Sequence, residues 1–142
     1  MTGRAAAGEL RWLVLPDHKI YILKYTGDMD GPTMTTRLCA FFTAHPEAFS
    51  YASVNDLRSF IGSITYEDMV KMAEMLRPIQ PPDAKRKSVL LTHDEAAVYI
   101  AHLAQDIFDW RIINVLSDPV RAFAEATDGA AMPEEVRAFM ES

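Results

Sequence analysis

The sequence predicts an α/β fold built on one mixed, mainly parallel sheet with an N-terminal antiparallel hairpin. Two neighbouring runs rich in aliphatic and aromatic residues, 10–15 and 19–26, are separated only by the turn-like Pro16-Asp17-His18. Downstream, short apolar runs alternate with segments of helical periodicity, the pattern that produces right-handed crossovers and parallel strands. Proline and capping residues punctuate the joins. The resulting order is β-β-α-β-α-β-α-β-α with a further short helix at the C-terminal end.

In the second run Ile20, Ile22 and Lys24 alternate with Tyr21, Leu23 and Tyr25, so both faces are largely apolar and the strand is expected in the interior of the sheet. Residues 27–32, Gly-Asp-Met-Asp-Gly-Pro, read as a turn followed by a helix start, with Asp30 as cap and Pro32 in the first turn. Met34, Leu38, Phe41 and Phe42 then recur at helical spacing until His45-Pro46 stops the pattern. The next strand is expected over 51–57, ending in Asp56-Leu57-Arg58 and passing through a Gly62-containing loop to a helix.

Thr65 and Asp68 resemble a capping box with Asp in place of Glu, and Tyr66, Met69, Val70, Ala73 and Leu76 form the expected buried stripe of that helix. Pro78, Pro81 and Pro82 end it. Met72 and Met75 cannot both share the inner face, which leaves core filling and an adaptable contact surface both open. Residues 88–91 are a short strand, and Thr92-His93-Asp94-Glu95 matches a capping box. The helix after it is expected to turn Ala96, Ala97, Ile100, Ala101, Ala104, Ile107 and Phe108 inward. Phe108, Trp110 and the exposed side of Val98 suggest a continuous apolar patch suited to dimerisation or ligand uptake. Residues 111–116 are the last strand, Asp118-Pro119 starts another helix, and Pro133 begins the terminal one.

A chain of 142 residues is the size of one domain, expected over 10–142 behind a flexible leader at 1–9. The net charge of −6 repels nucleic acid and anionic surfaces at long range, and no apolar run approaches the roughly 18 to 20 residues of a spanning helix. Arg4-Ala5-Ala6-Ala7 lacks the apolar segment of a signal peptide, so a cytoplasmic location is expected. The single Cys39 allows no intrachain disulfide and reads as a partly buried, inert thiol. Lys85-Arg86-Lys87 reads as a solvated loop and strand start, or alternatively as an anion contact.

No local motif carries catalysis. Asp28 and Asp30 hint at a calcium loop, but position 12 counted from Asp28 is Cys39 rather than Glu. His93 has no His or Cys partner at ligand spacing, and His18, His45 and His102 fall in turns or on a polar helix face. The paired carboxylates Glu67-Asp68, Asp94-Glu95 and Glu134-Glu135 all lie at helix starts, where the macrodipole favours them. There is no nucleophile elbow, Walker loop or dinucleotide fingerprint. No metal or cofactor is expected.

The chain resembles the SpoIIAA-like branch of STAS-type domains, the anti-sigma-factor antagonist-like fold of bacterial regulators, related in shape to lipid-binding SEC14 modules. The matching features are the Gly27 turn, the Asp56-Leu57-Arg58 strand, the segment from Gly62 to Met69, Val89-Leu90-Leu91-Thr92, and Ile113-Asn114-Val115-Leu116 followed by Asp118 and Ala122. The resemblance implies a non-enzymatic binding or regulatory module acting through protein contacts, self-association included, at the loop between the third strand and second helix. Asp56 and Arg58 would supply polar specificity, Gly62 loop freedom, Thr65 the helix cap, and Met72 with Met75 apolar contact. It also implies a phosphorylation switch at that hand-over, here Ser59, Ser63 and Thr65, although Asp56 is followed by Leu57-Arg58 where phosphorylated members carry Asp-Ser-Ser-Gly. The SEC14 likeness implies an alternative, a small-molecule or lipid carrier with an apolar pocket between sheet and helices.

Overall fold

A computed structural model describes residues 7–80 and 85–142. Five strands form one sheet in the order β1-β2-β3-β4-β5: β1 Glu9–Leu15, β2 Ile20–Gly27, β3 Ala52–Phe60, β4 Arg86–Leu91 and β5 Arg111–Leu116. β1 and β2 are antiparallel and the remaining neighbours are parallel, as the hairpin and alternation imply. β2 lies between two strands, and its first six residues are all buried. The helices are α1 Gly31–Ala44, α2 Tyr66–Leu76, α3 Ala96–Ile107, α4 Pro119–Ala126 and α5 Glu134–Glu141. Short 3₁₀ turns at Pro16–His18, Pro46–Ser50 and Arg77–Ile79 complete the order.

Each parallel strand advances the sheet by one position, so the crossover helices α1, α2 and α3 pack on one face while α4 and α5 cover the other. The period of two along the strands separates the faces. Ile20, Ile22, Val54, Val89 and Leu91 pack with Phe123 and Val136 under α4 and α5, whereas Tyr21, Leu23 and Tyr25 turn toward α1 and α2.

Local chemistry fixes the helix ends. Asp30 accepts a hydrogen bond from Thr33 N at 2.7 Å, which holds its carboxyl below the usual range, and Asp118 accepts from Arg121 N at 2.9 Å. Thr65 and Asp68 form the expected reciprocal box, at 3.1 and 3.0 Å. Gly27 takes the left-handed φ of 72° at the end of β2, a conformation that favours glycine.

Several expectations are corrected. β3 runs on to Phe60, so Asp56-Leu57-Arg58 lies inside the strand, and a register shift leaves Leu57 and Arg58 both opposite Tyr25 as a bulge. Tyr66 is exposed at the first position of α2, and Met72 takes its place in the buried stripe. Thr92 and Glu95 do not close a box. Thr92 Oγ1 accepts from Asp94 N, and Asp94 accepts from Ala96 N, so nested turns start α3 instead. Only the second half of α3 buries its stripe: Ala101, Ala104 and Ile107 are buried, whereas Ala96 and Ile100 are exposed. Of the 1–9 leader, residues 1–6 lie outside the described residues. Gly8 N donates to Asp28 O at 2.7 Å, Arg37 donates to Gly8 O, and Glu9 is already in β1. Pro81 and Pro82 also lie outside the described residues.

Candidate functional site

Between the sheet and α1, α2 and α3 lies a cavity of about 620 Å³, within the range that takes a small organic ligand. It exists because its floor and part of its roof are made of small side chains. Ser53 and Ser88 stand side by side on β3 and β4, and Ala97 and Ala104 of α3 line the same cavity. Large residues form the walls: Met34, Leu38 and Phe42 from α1, and Met69, Met72 and Leu76 from α2. At one end Phe42 stacks on Phe49 with ring centroids 4.0 Å apart, and at another Phe108 meets Trp110 edge-on at 5.5 Å.

The floor is polar and continuous. Tyr25 Oη donates to Asn55 Oδ1 at 3.0 Å, Asn55 Nδ2 donates to Ser53 Oγ at 3.1 Å, and Ser53 Oγ donates to Ser88 Oγ at 3.0 Å. Arg111 Nε donates to Ser88 Oγ at 2.7 Å, completing a chain from β2 to β5. Burial, with the nearby Tyr21 adding to it, pushes the Tyr25 hydroxyl above its usual range, so it remains a proton donor. A floor of this kind beneath apolar walls suits an amphipathic molecule, with polar groups fixing its orientation.

The residues expected to meet a partner are dispersed. Asp56 is 2% exposed, and its carboxylate accepts from Arg58 N at 3.1 Å, Nε at 2.9 Å and Nη2 at 2.9 Å. This pair raises the Arg58 pKa, the hydrogen bond being the main cause. Met72 is buried and lines the cavity, whereas Met75 is 56% exposed. Thr65 serves as cap. Gly62 has no left-handed φ; its place is set by close approach, since an added Cβ would collide with Met29 O and the Phe60 ring. Ser59, Ser63 and Thr65 are exposed, and Ser63 lies on the cavity rim.

The expected patch across Val98, Phe108 and Trp110 is not continuous. Phe108 and Trp110 line the cavity, while Val98 projects outward from the far end of α3 beside Tyr99 and Ile100. Lys87 is held by Asp128 at 2.9 Å and Glu125 at 3.5 Å, a pairing that raises its pKa, chiefly through the Asp128 bond. Arg86 donates to Ser50 O.

Sequence reading passed over the residues that matter most here: Ser53, Asn55, Ser88 and Arg111. A signal exists only for Ser53 and Asn55, polar residues at alternate positions of β3, which mark one face of that strand as not sealed by core packing.

No helix among the described residues is long and apolar enough to cross a membrane. No protein-family model matches the sequence, and no significantly similar curated protein is found. The chain is similar in structure to an uncharacterized protein of the DUF3478 family with a SpoIIAA-like fold from Shewanella loihica PV-4. That likeness has a TM-score of 0.59 at 10% identity and covers 89% of this chain and 98% of the other. At this identity it shows the fold, which is SpoIIAA-like.

Proposed function

We propose that this SpoIIAA-like chain is a non-enzymatic cytoplasmic binding module that holds an apolar or amphipathic small molecule between its sheet and its three crossover helices. The observation that carries this reading is the cavity of about 620 Å³, walled by Met, Leu and Phe side chains over a polar floor. A domain of this size closes such a space when nothing occupies it functionally, because every unfilled methylene position costs stability. The opposite face of the same sheet has been closed in that way.

The alternative, a module acting through protein contacts at the loop between β3 and α2, loses two of its expected contact residues, because Asp56 and Met72 face inward. It retains Met75 and the exposed Ser59, Ser63 and Thr65.

Native mass spectrometry of protein purified without denaturation, at several concentrations and with added 1-dodecanol, separates the two readings. A retained mass of roughly drug or lipid size, or stoichiometric uptake of dodecanol, supports the carrier. A chain that stays bare with dodecanol present overturns it, and a concentration-dependent bare dimer transfers weight to protein contacts.

A further inference from the structure

Both faces of the sheet bury charge, and they neutralise it differently. On the side of α4 and α5, Asp56 is matched by Arg58, and Lys24 Nζ donates to Met140 O at 2.7 Å and Ser142 O at 2.6 Å at the end of α5, where the helix dipole favours a cation. On the cavity side the buried charge is Arg111, 7% exposed. No ion pair among the described residues includes it. Its partners are neutral oxygens: Ser88 Oγ, Tyr51 O at 2.9 Å, Lys87 O at 3.0 Å and Ser53 Oγ at 3.3 Å. Hydrogen bonds of this kind satisfy the guanidinium's geometry without cancelling its charge, and an arginine does not escape by deprotonation.

The donor count along the floor sharpens the point. Ser53 Oγ accepts from Asn55 and Arg111, so its own proton goes to Ser88. Ser88 Oγ in turn accepts from Ser53 and Arg111, which fills its two lone pairs and leaves its O–H without an acceptor among the described residues. Of the guanidinium's five N–H groups, the four bonds above use all but one, on Nη1. One hydroxyl proton and one guanidinium proton are therefore left without a partner among the described residues, beside an uncompensated positive charge, and Ser88 and Arg111 both line the cavity. Arg58, which also borders the cavity, is already neutralised by Asp56.

We propose that the ligand is a single-chain amphiphile with a carboxylate head, seated with its two oxygens on Arg111 and Ser88 and its chain along the α1 and α2 walls. This rests on the carrier reading and adds the chemical class of the ligand. Two remaining donors suit a carboxylate, whereas a phosphate head would bring more acceptor oxygens than the site has protons to meet.

Isothermal titration of the full chain with dodecanoate below its micellar concentration and with 1-dodecanol below its solubility limit tests it. Wild-type protein is expected to bind dodecanoate about tenfold or more tightly than dodecanol, the scale of a buried charge-assisted hydrogen bond. Arg111→Gln should abolish that preference, lowering dodecanoate affinity by about tenfold more than it lowers dodecanol affinity. Because Arg111 also ties Tyr51 to Lys87, Ser88→Ala provides a milder second variant, expected to reduce the preference by about fivefold. Equal wild-type affinity for the two probes overturns the carboxylate assignment and leaves the carrier reading standing, and a preference that survives both variants places the anion elsewhere and also overturns it. Binding of neither probe defeats the carrier reading itself.

Discussion

Against α4 and α5, the strands present Ile20, Ile22, Val54 and Val89, each wholly buried, with Phe123 and Val136 filling the space above them. One residue along on the same strands, the opposite face presents Tyr25, Asn55, Ser53 and Ser88 beneath a helix that contributes alanines. Backbone and twist are shared, so the difference lies in side-chain volume and polarity. Branched aliphatic strand residues under Phe123 and Val136 seal one face, whereas serine on the strands and alanine on α3 leave the other open. The charges differ as well: Asp56 of the sealed face is paired with Arg58, whereas, among the described residues, Arg111 of the open face is met only by neutral oxygens.

The most severe way to break this contrast is to remove the cation from each face in turn. Arg58→Met leaves Asp56 buried without its cation and is expected to cost about 3–5 kcal/mol in urea denaturation. Arg111→Met removes a charge that has no carboxylate and is expected to cost about 1–3 kcal/mol from the stranded acceptors. Equal losses would mean that Arg111 is as fully integrated into the core as Arg58.

Filling space comes next. Ala122→Leu overpacks the sealed face, where Ala122 is wholly buried, at an expected cost of about 1–3 kcal/mol. Ala97→Leu adds the same atoms to the cavity, so it should cost clearly less while weakening dodecanol uptake in the same titration.

The smallest effect concerns the caps. Thr65→Ala on α2 and Asp118→Ala on α4 should each cost about 1 kcal/mol by thermal or urea unfolding. Only the Thr65 variant, which loosens a cavity wall, should speed ligand dissociation in stopped flow.

Much of the fold was legible in the sequence on both faces, because helix ends and turns obey local rules. The hairpin, the caps at Asp30, Thr65 and Asp118, and the Gly27 turn each depend on neighbours within a few residues. The open half depends on what the chain brings together across four strands. Ser53 and Ser88, 35 residues apart, become a hydrogen-bonded pair, and Arg111 reaches Tyr51, 60 residues away. Nothing local announces such contacts. The sequence pattern ends this strand at Leu57, three residues early, whereas the Asp56 carboxylate internally satisfies Arg58 and the strand continues to Phe60. Helix periodicity likewise placed Ile100 inward, but over the cavity the inward direction meets open space rather than core.

The methionines report on both faces at once, which makes them the most direct probe of the central claim. Met34, Met69 and Met72 line the cavity, Met132 and Met140 pack on the sealed face, and Met75 is exposed. With ¹³C-methyl-labelled methionine, an NMR titration with 1-dodecanol should shift the Met34, Met69 and Met72 signals together and leave Met132, Met140 and Met75 in place. Shifts confined to Met75, or movement of Met132 and Met140 with the rest, would contradict a ligand compartment on the crossover-helix face.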